Sequence, residues 1–173
     1  SDKLPFLVHT AWNAGVRRAR GEFVLSLTND LLLSDEVVQF LATQTLNPES
    51  IYRIDRYDIP ERTLELPTLA DRLAFAKRNV RRVHGLDGAL RLPDFSIKLH
   101  TNAAGDFVLL SKEYWATLRG LPQESEYHSF KFDGIMMFMA HAAGVKQVLL
   151  QDPMRVYHVS HGVSDWMAQD RWP

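Results

Sequence analysis

Apolar positions along this chain recur at helical spacing in some segments and form short continuous runs in others. From Thr10 to Arg20 the pattern predicts a helix, capped by Thr10, with Arg17, Arg18 and Arg20 in its last turn and Gly21 as its stop. Glu22 to Thr28 reads as a buried strand, rich in β-favouring residues. Ser34 caps a second predicted helix that runs to about Leu46, where Asn47-Pro48-Glu49 breaks it. Ile51 to Tyr57 is a second strand. Leu69, Leu73, Ala76 and Val80 place a helix over Pro67 to about Val83, its other face carrying Arg72, Lys77, Arg78, Arg81 and Arg82. Residues 84–99 read as a loop, and 106–110 as a short strand. Ser111 caps a helix that Gly120 stops. Asp133 opens a very apolar helix that ends at Gly144, and Lys146–Leu150 and Met154–His158 are two further strands. Alternating helices and strands predict an α/β fold with a mixed or mainly parallel sheet. The chain opens on a helix, whereas an α/β nucleotide-binding domain opens on a strand.

At 173 residues the chain has the length of one domain, and 46% hydrophobic with 24% charged residues is ordinary for a soluble globular protein. Disorder of the whole chain is excluded. Twenty Lys and Arg stand against 21 Asp and Glu, which argues against a dedicated nucleic-acid binder. No apolar run approaches a membrane span, and Ser1 to Phe6 lack the apolar core of a signal peptide. Cysteine is absent. That removes disulfides, thiolate metal sites and thiol nucleophiles, and leaves His, Asp, Glu or Asn to hold any metal. None of the asparagines at 13, 29, 47, 79 and 102 lies in a glycosylation sequon, which leans away from a heavily glycosylated lumenal protein.

Four places collect polar residues. Asp30 ends Thr28-Asn29-Asp30, just past a buried strand, where α/β sheets bind ligands and a carboxylate holds a divalent cation. It could equally brace the turn before the Ser34 helix. His100, Thr101, Asn102 and Asp106 lie among small residues that let backbone approach a ligand, or form a loop closed by its own side-chain hydrogen bonds. Asp133 at a helix start suits a general base or a cap. His158 and His161 would point to different faces of a regular strand, so both reach one metal only if the chain turns at Ser160.

Taken in order, these segments resemble the inverting nucleotide-sugar glycosyltransferases of the GT-A fold, of the large family 2 type. Asn13 to Glu22 matches that family's N-x-G-x-x-x-A-x-G-(E/D) segment at Asn13, Gly15, Ala19 and Gly21. Asp30 then falls on the last acid of its D-x-D-like motif, while Thr28 stands where the first acid is usual. His100 to Trp115 is similar to the acceptor-side strand and helix, and Leu118 to Glu124 resembles the turn that follows. Asp133 falls on the acid of the E-D motif, with Phe132 beside it in place of the first acid, and His158 or His161 on a late metal-binding histidine.

The resemblance implies one partial GT-A-like domain over residues 1–173, a mixed sheet flanked by helices. The N-terminal βαβ portion that binds much of the nucleotide is expected to be missing. It implies transfer of a sugar from a nucleotide-diphosphate donor to a carbohydrate or other hydroxyl acceptor, with inversion. Mn2+ or Mg2+ on Asp30 and a late histidine would neutralise the diphosphate, and Asp133 would take the acceptor's proton. His100, Thr101, Asn102, Asp106, Asn13 and Arg17 would contact substrates. Trp115 would stack on a sugar or sit in the core. Cytoplasmic and Golgi-lumenal locations both stay open. The competing expectation is a non-catalytic remnant of the fold that acts as a binding module, with Asp30 and Asp133 as caps and the basic helix around Arg72 to Arg82 as its contact surface.

Overall fold

The computed structural model describes residues 8–86, 98–122 and 132–161. Helix α1 (Val8–Arg18) leads into β1 (Phe23–Leu27), β2 (Leu31–Leu33) and α2 (Asp35–Thr43). Then come β3 (Ser50–Ile54), β4 (Arg56–Ile59), α3 (Leu69–Arg78), β5 (Arg82–His84), β6 (Phe107–Ser111), α4 (Lys112–Thr117), α5 (Phe132–Ala142), β7 (Lys146–Leu150) and β8 (Val156–Val159). The α/β expectation holds, but the strands form two four-stranded mixed sheets rather than one, ordered β1-β6-β3-β7 and β2-β8-β4-β5.

In the first sheet β6 runs antiparallel between β1 and β3, and β3 and β7 are parallel. Strands β1, β3 and β7 therefore end along the edge where β6 begins. Each then passes straight into the second sheet: β1 into β2 through residues 28–30, β3 into β4 through Asp55, and β7 into β8 through residues 151–155. The predicted single strand Ile51–Tyr57 is thus two strands in different sheets, broken at Asp55. The three leucines of β2, too short a run to predict a strand, are held by pairing Leu31, Leu32 and Leu33 with His158, Tyr157 and Val156. The helix predicted to reach Val83 stops at Arg78, because Arg82–His84 pairs with β4.

Strand β6 is buried throughout and serves two cores. Val108 and Leu110 face α1, α4 and α5, packing with Trp115, Leu118, Met136, Met137 and Ala140. Phe107 and Leu109 face α2, with Val37, Tyr52 and Ile54. This two-sided burial explains the uninterrupted apolar run. A third cluster seals α3 onto the second sheet through Ile59, Ala76, Tyr157 and Val159. Ser111 caps α4 as expected, its hydroxyl accepting from the Tyr114 N–H. Ser34 sits at the N-cap of α2, but its hydroxyl accepts from the Arg155 N–H, tying the helix start to β8. Thr10 lies inside α1 rather than capping it. Among the described residues no helix is long and apolar enough to cross a membrane.

Candidate functional site

The crossing from first sheet to second sets the site. Asp30 lies in the β1–β2 link, and β8 places His158 directly opposite Asp58 of β4 and Leu31 of β2. Along β4 the side chains alternate. Tyr57 and Ile59 join the cluster under α3, which leaves Arg56 and Asp58 on the opposite face. His84 of β5 stands opposite Arg56. Strand β8 ends at Val159, the Ser160 N–H goes to the Ile59 carbonyl, and the chain turns. That turn brings the His161 ring to 5.3 Å from the His158 ring.

Asp30 Oδ2 lies 3.1 Å from His158 Nε2 and 3.0 Å from His161 Nε2. One ligand atom from each of the three residues falls within 4.8 Å of the others. Ligand atoms about 2.1 Å from a shared ion and at right angles are about 3 Å apart, so these residues fit a divalent cation. Asp30 Oδ1 is buried and makes no well-formed hydrogen bond, which leaves an oxygen free to bind an ion. The His158 hydrogen bond holds the Asp30 carboxyl well below the usual carboxylate range against the opposing effect of burial, with smaller help from Thr28 and His161. The carboxylate is therefore already in the state a metal requires. Behind His158, its Nδ1 is 3.1 Å from Asp58 Oδ1, an ion-pair contact rather than an aligned hydrogen bond. His84 Nε2 lies 2.9 Å from Asp58 Oδ2. Arg56 lies 2.9 Å from both Asp58 and Asp106.

A second polar group holds the segment before β6. Arg53 is completely buried. Its guanidinium donates to the carbonyls of His100 (3.3 Å), Asn102 (3.3 Å), Ala103 (3.2 Å), Ala104 (2.8 Å) and Phe107. Burial pushes this group down to about 10, with Asp133, Asp106 and Asp55 pulling it back, so it stays charged at neutral pH. His100 is also fully buried, with Nε2 at 2.9 Å from Asp55 Oδ1, so it braces the segment instead of lining an open pocket. Asn102 donates to the Gly85 carbonyl at 2.7 Å. Thr101 is half-buried, and a Cβ at Gly134 would lie 3.9 Å from its own Cβ.

Asp106 is 8% exposed and accepts from Arg56 and, at 3.2 Å, from the Thr28 hydroxyl. Thr28 thus meets an acid, and an aspartate in its place would face Asp106. Asp133 lies in the first turn of α5 and does not begin the helix. Its Oδ2 accepts the Gly105 N–H at 2.7 Å and its Oδ1 the Gly134 N–H at 2.8 Å.

Three residues expected at substrate lie elsewhere. Asn13 is buried, and both ends of its amide are used on Leu121, each at 2.8 Å. Trp115 is 1% exposed and donates to the Val24 carbonyl, so of its two readings the core is the one realised. Arg17 lines a 370 Å³ cavity together with Lys112 and Arg119, and Asn13 and Trp115 form part of the same wall. Lys112 follows the last residue of β6, so this cavity lies at the opposite edge of the first sheet from Asp106 and Asp30. Arg53, Asp55, Arg56, Asp58 and His84 were not singled out from the sequence. The signal for four of them was present, in charges at 53, 55, 56 and 58 within an otherwise apolar strand run, the alternation breaking at Asp55-Arg56. No protein-family model and no curated protein sequence matches this chain.

Proposed function

We propose that this chain carries the centre of a metal-dependent, inverting glycosyltransferase of the GT-A type, which moves a sugar from a nucleotide-diphosphate donor to an acceptor hydroxyl. The observation that carries the proposal is the convergence of Asp30, His158 and His161, since Asp30 and His158 are 128 positions apart in the chain. These are the residues that the family resemblance assigns to the metal. Bound there, Mn2+ or Mg2+ would supply positive charge to the diphosphate leaving group. Two imidazoles and one carboxylate favour Mn2+ over Mg2+, which prefers oxygen ligands.

A 270 Å³ cavity opens beside Asp30 and His161, walled by Leu32, Leu64 and Val159 with Glu61 at its side. It offers space for a reacting group next to the metal ligands. Asp133 is the proposed base. The Gly105 and Gly134 N–H groups fix its carboxylate, which keeps lone pairs with which to accept the acceptor's proton. The second reading, a non-catalytic binding module, is favoured by how many expected substrate residues are used inside the protein: Asn13, His100, Asp106 and Trp115.

Thermal-shift titration separates the two. With UDP or GDP, the enzyme reading expects a rise in Tm that needs Mn2+ and disappears with chelator. At a hundredfold excess over Kd the stabilisation is about 2.7 kcal/mol. Asp30→Asn should abolish the metal-dependent part. No shift with either nucleotide in the presence of Mn2+ would overturn the enzyme reading.

A further inference from the structure

Among the proposed metal ligands, His158 is gripped from both sides. Its Nε2 faces Asp30 Oδ2 at 3.1 Å, and its Nδ1 faces Asp58 Oδ1 at 3.1 Å. The second contact is built into the sheet, because β4 and β8 run parallel with Asp58 and His158 in register. Asp58 is itself restrained. Arg56 Nε lies 2.9 Å from its Oδ1 and His84 Nε2 lies 2.9 Å from its Oδ2, while Arg56 reaches on to Asp106 at 2.9 Å. All of these side chains are largely shielded, Asp58 being 15% exposed and His158 13%.

We propose that Asp58 is a positioning residue for the metal centre. Through its contact at Nδ1 it orients the His158 ring, so that Nε2 is directed at the ion beside Asp30. The inference rests on the metal reading given above. A carboxylate behind a metal-bound imidazole fixes the tautomer, orients the ring and makes the ligating nitrogen more basic. Asp58 is placed to do the last two. Arg56 bridges Asp58 and Asp106 and so holds the carboxylate behind His158 in place. A purely structural network joining β4, β5 and β8 would show the same distances but would leave metal affinity unchanged.

The test is calorimetric titration of wild-type, Asp58→Asn and His84→Gln proteins with Mn2+ alone at one pH, each checked for folding by circular dichroism. Asp58→Asn keeps the shape but loses the charge, and should bind Mn2+ roughly 10- to 100-fold more weakly. His84→Gln removes one of the restraints on Asp58 and should weaken Mn2+ binding in the same direction, by less than Asp58→Asn. A folded Asp58→Asn protein that binds as tightly as wild type overturns the positioning role alone. Wild-type protein that binds no Mn2+ overturns the metal reading itself.

Should Asp58→Asn not fold, nitrogen-detected NMR of the Zn2+-loaded wild type decides the matter. The proposal requires metal on Nε2 of His158 and a slowly exchanging proton on Nδ1. Metal on Nδ1, or a fast-exchanging Nδ1 proton, would refute it.

Discussion

Arg53→Met tests whether one buried cation organises the segment that leads into β6. Methionine keeps most of the apolar stem and removes every donor. Five carbonyl oxygens, those of His100, Asn102, Ala103, Ala104 and Phe107, then lose a partner inside the protein. Hydrogen bonds to a charged group are worth about 1.5–3 kcal/mol each, so those to Ala104 and Phe107 alone amount to about 3–6 kcal/mol. Part of this is offset because a buried guanidinium no longer has to be desolvated. A net loss of about 3–5 kcal/mol is expected, a large fraction of an ordinary domain's stability. In a chain of this size that lowers Tm by about 6–20 °C. Urea denaturation at neutral pH followed by tryptophan fluorescence measures it, with Tm as the second readout. The same substitution should weaken Mn2+ binding, since the freed segment carries Asp106, the anchor of Arg56. A variant within 1 kcal/mol of wild type would refute the idea that Arg53 holds this segment.

Gly120→Ala should cost roughly 2 kcal/mol or more by chemical denaturation. Its backbone sits at φ +74° and a Cβ there would lie 2.2 Å from Asn13 Oδ1, breaking the clasp on Leu121. Trp115→Ala should cost about 3–5 kcal/mol in the same assay and leave Mn2+ affinity unchanged, since the ring is in the core and not at the ligands; a loss of metal binding in a folded variant would contradict this. Asp30 titrates lower in the folded chain than its ordinary 3.8. Its stabilising contribution is therefore complete above that value and is lost as the pH falls below it. In chelator, wild type should exceed Asp30→Asn in Tm at pH 6, and the gap should close below pH 4. A gap that is constant or widens in acid would contradict the assigned direction.

Much of the framework was legible locally. Ser111 bounds the start of α4 because a cap is a chemical property of a single residue, whereas the helix ends at Thr117 and the left-handed turn after it begins at Arg119, one residue before Gly120. Continuous apolar runs marked β1, β6 and β7 as strands. Asp30 and the His158–His161 pair were recognisable as chemistry-bearing types at strand ends, and even the turn needed at Ser160 could be stated beforehand. The limits of this were equally physical. Leu31–Leu33 is a strand only because β8 lies beside it, and Arg82–His84 only because β4 does. Neither pairing leaves a trace in local periodicity.

The sequence by itself determined most of the helices and the strands β1, β6 and β7, which residues are able to bind a cation, and that no cysteine takes part. Only the tertiary structure decided that β3 leaves the first sheet at Asp55, that Asp58 stands behind His158, and that Arg53 is spent on backbone carbonyls. It also turned Asn13, His100, Asp106 and Trp115 inward. A polar side chain's role depends on which group lies within about 3 Å of it. In this fold those partners come from strands far apart in the chain, so sheet order sets them and local pattern does not.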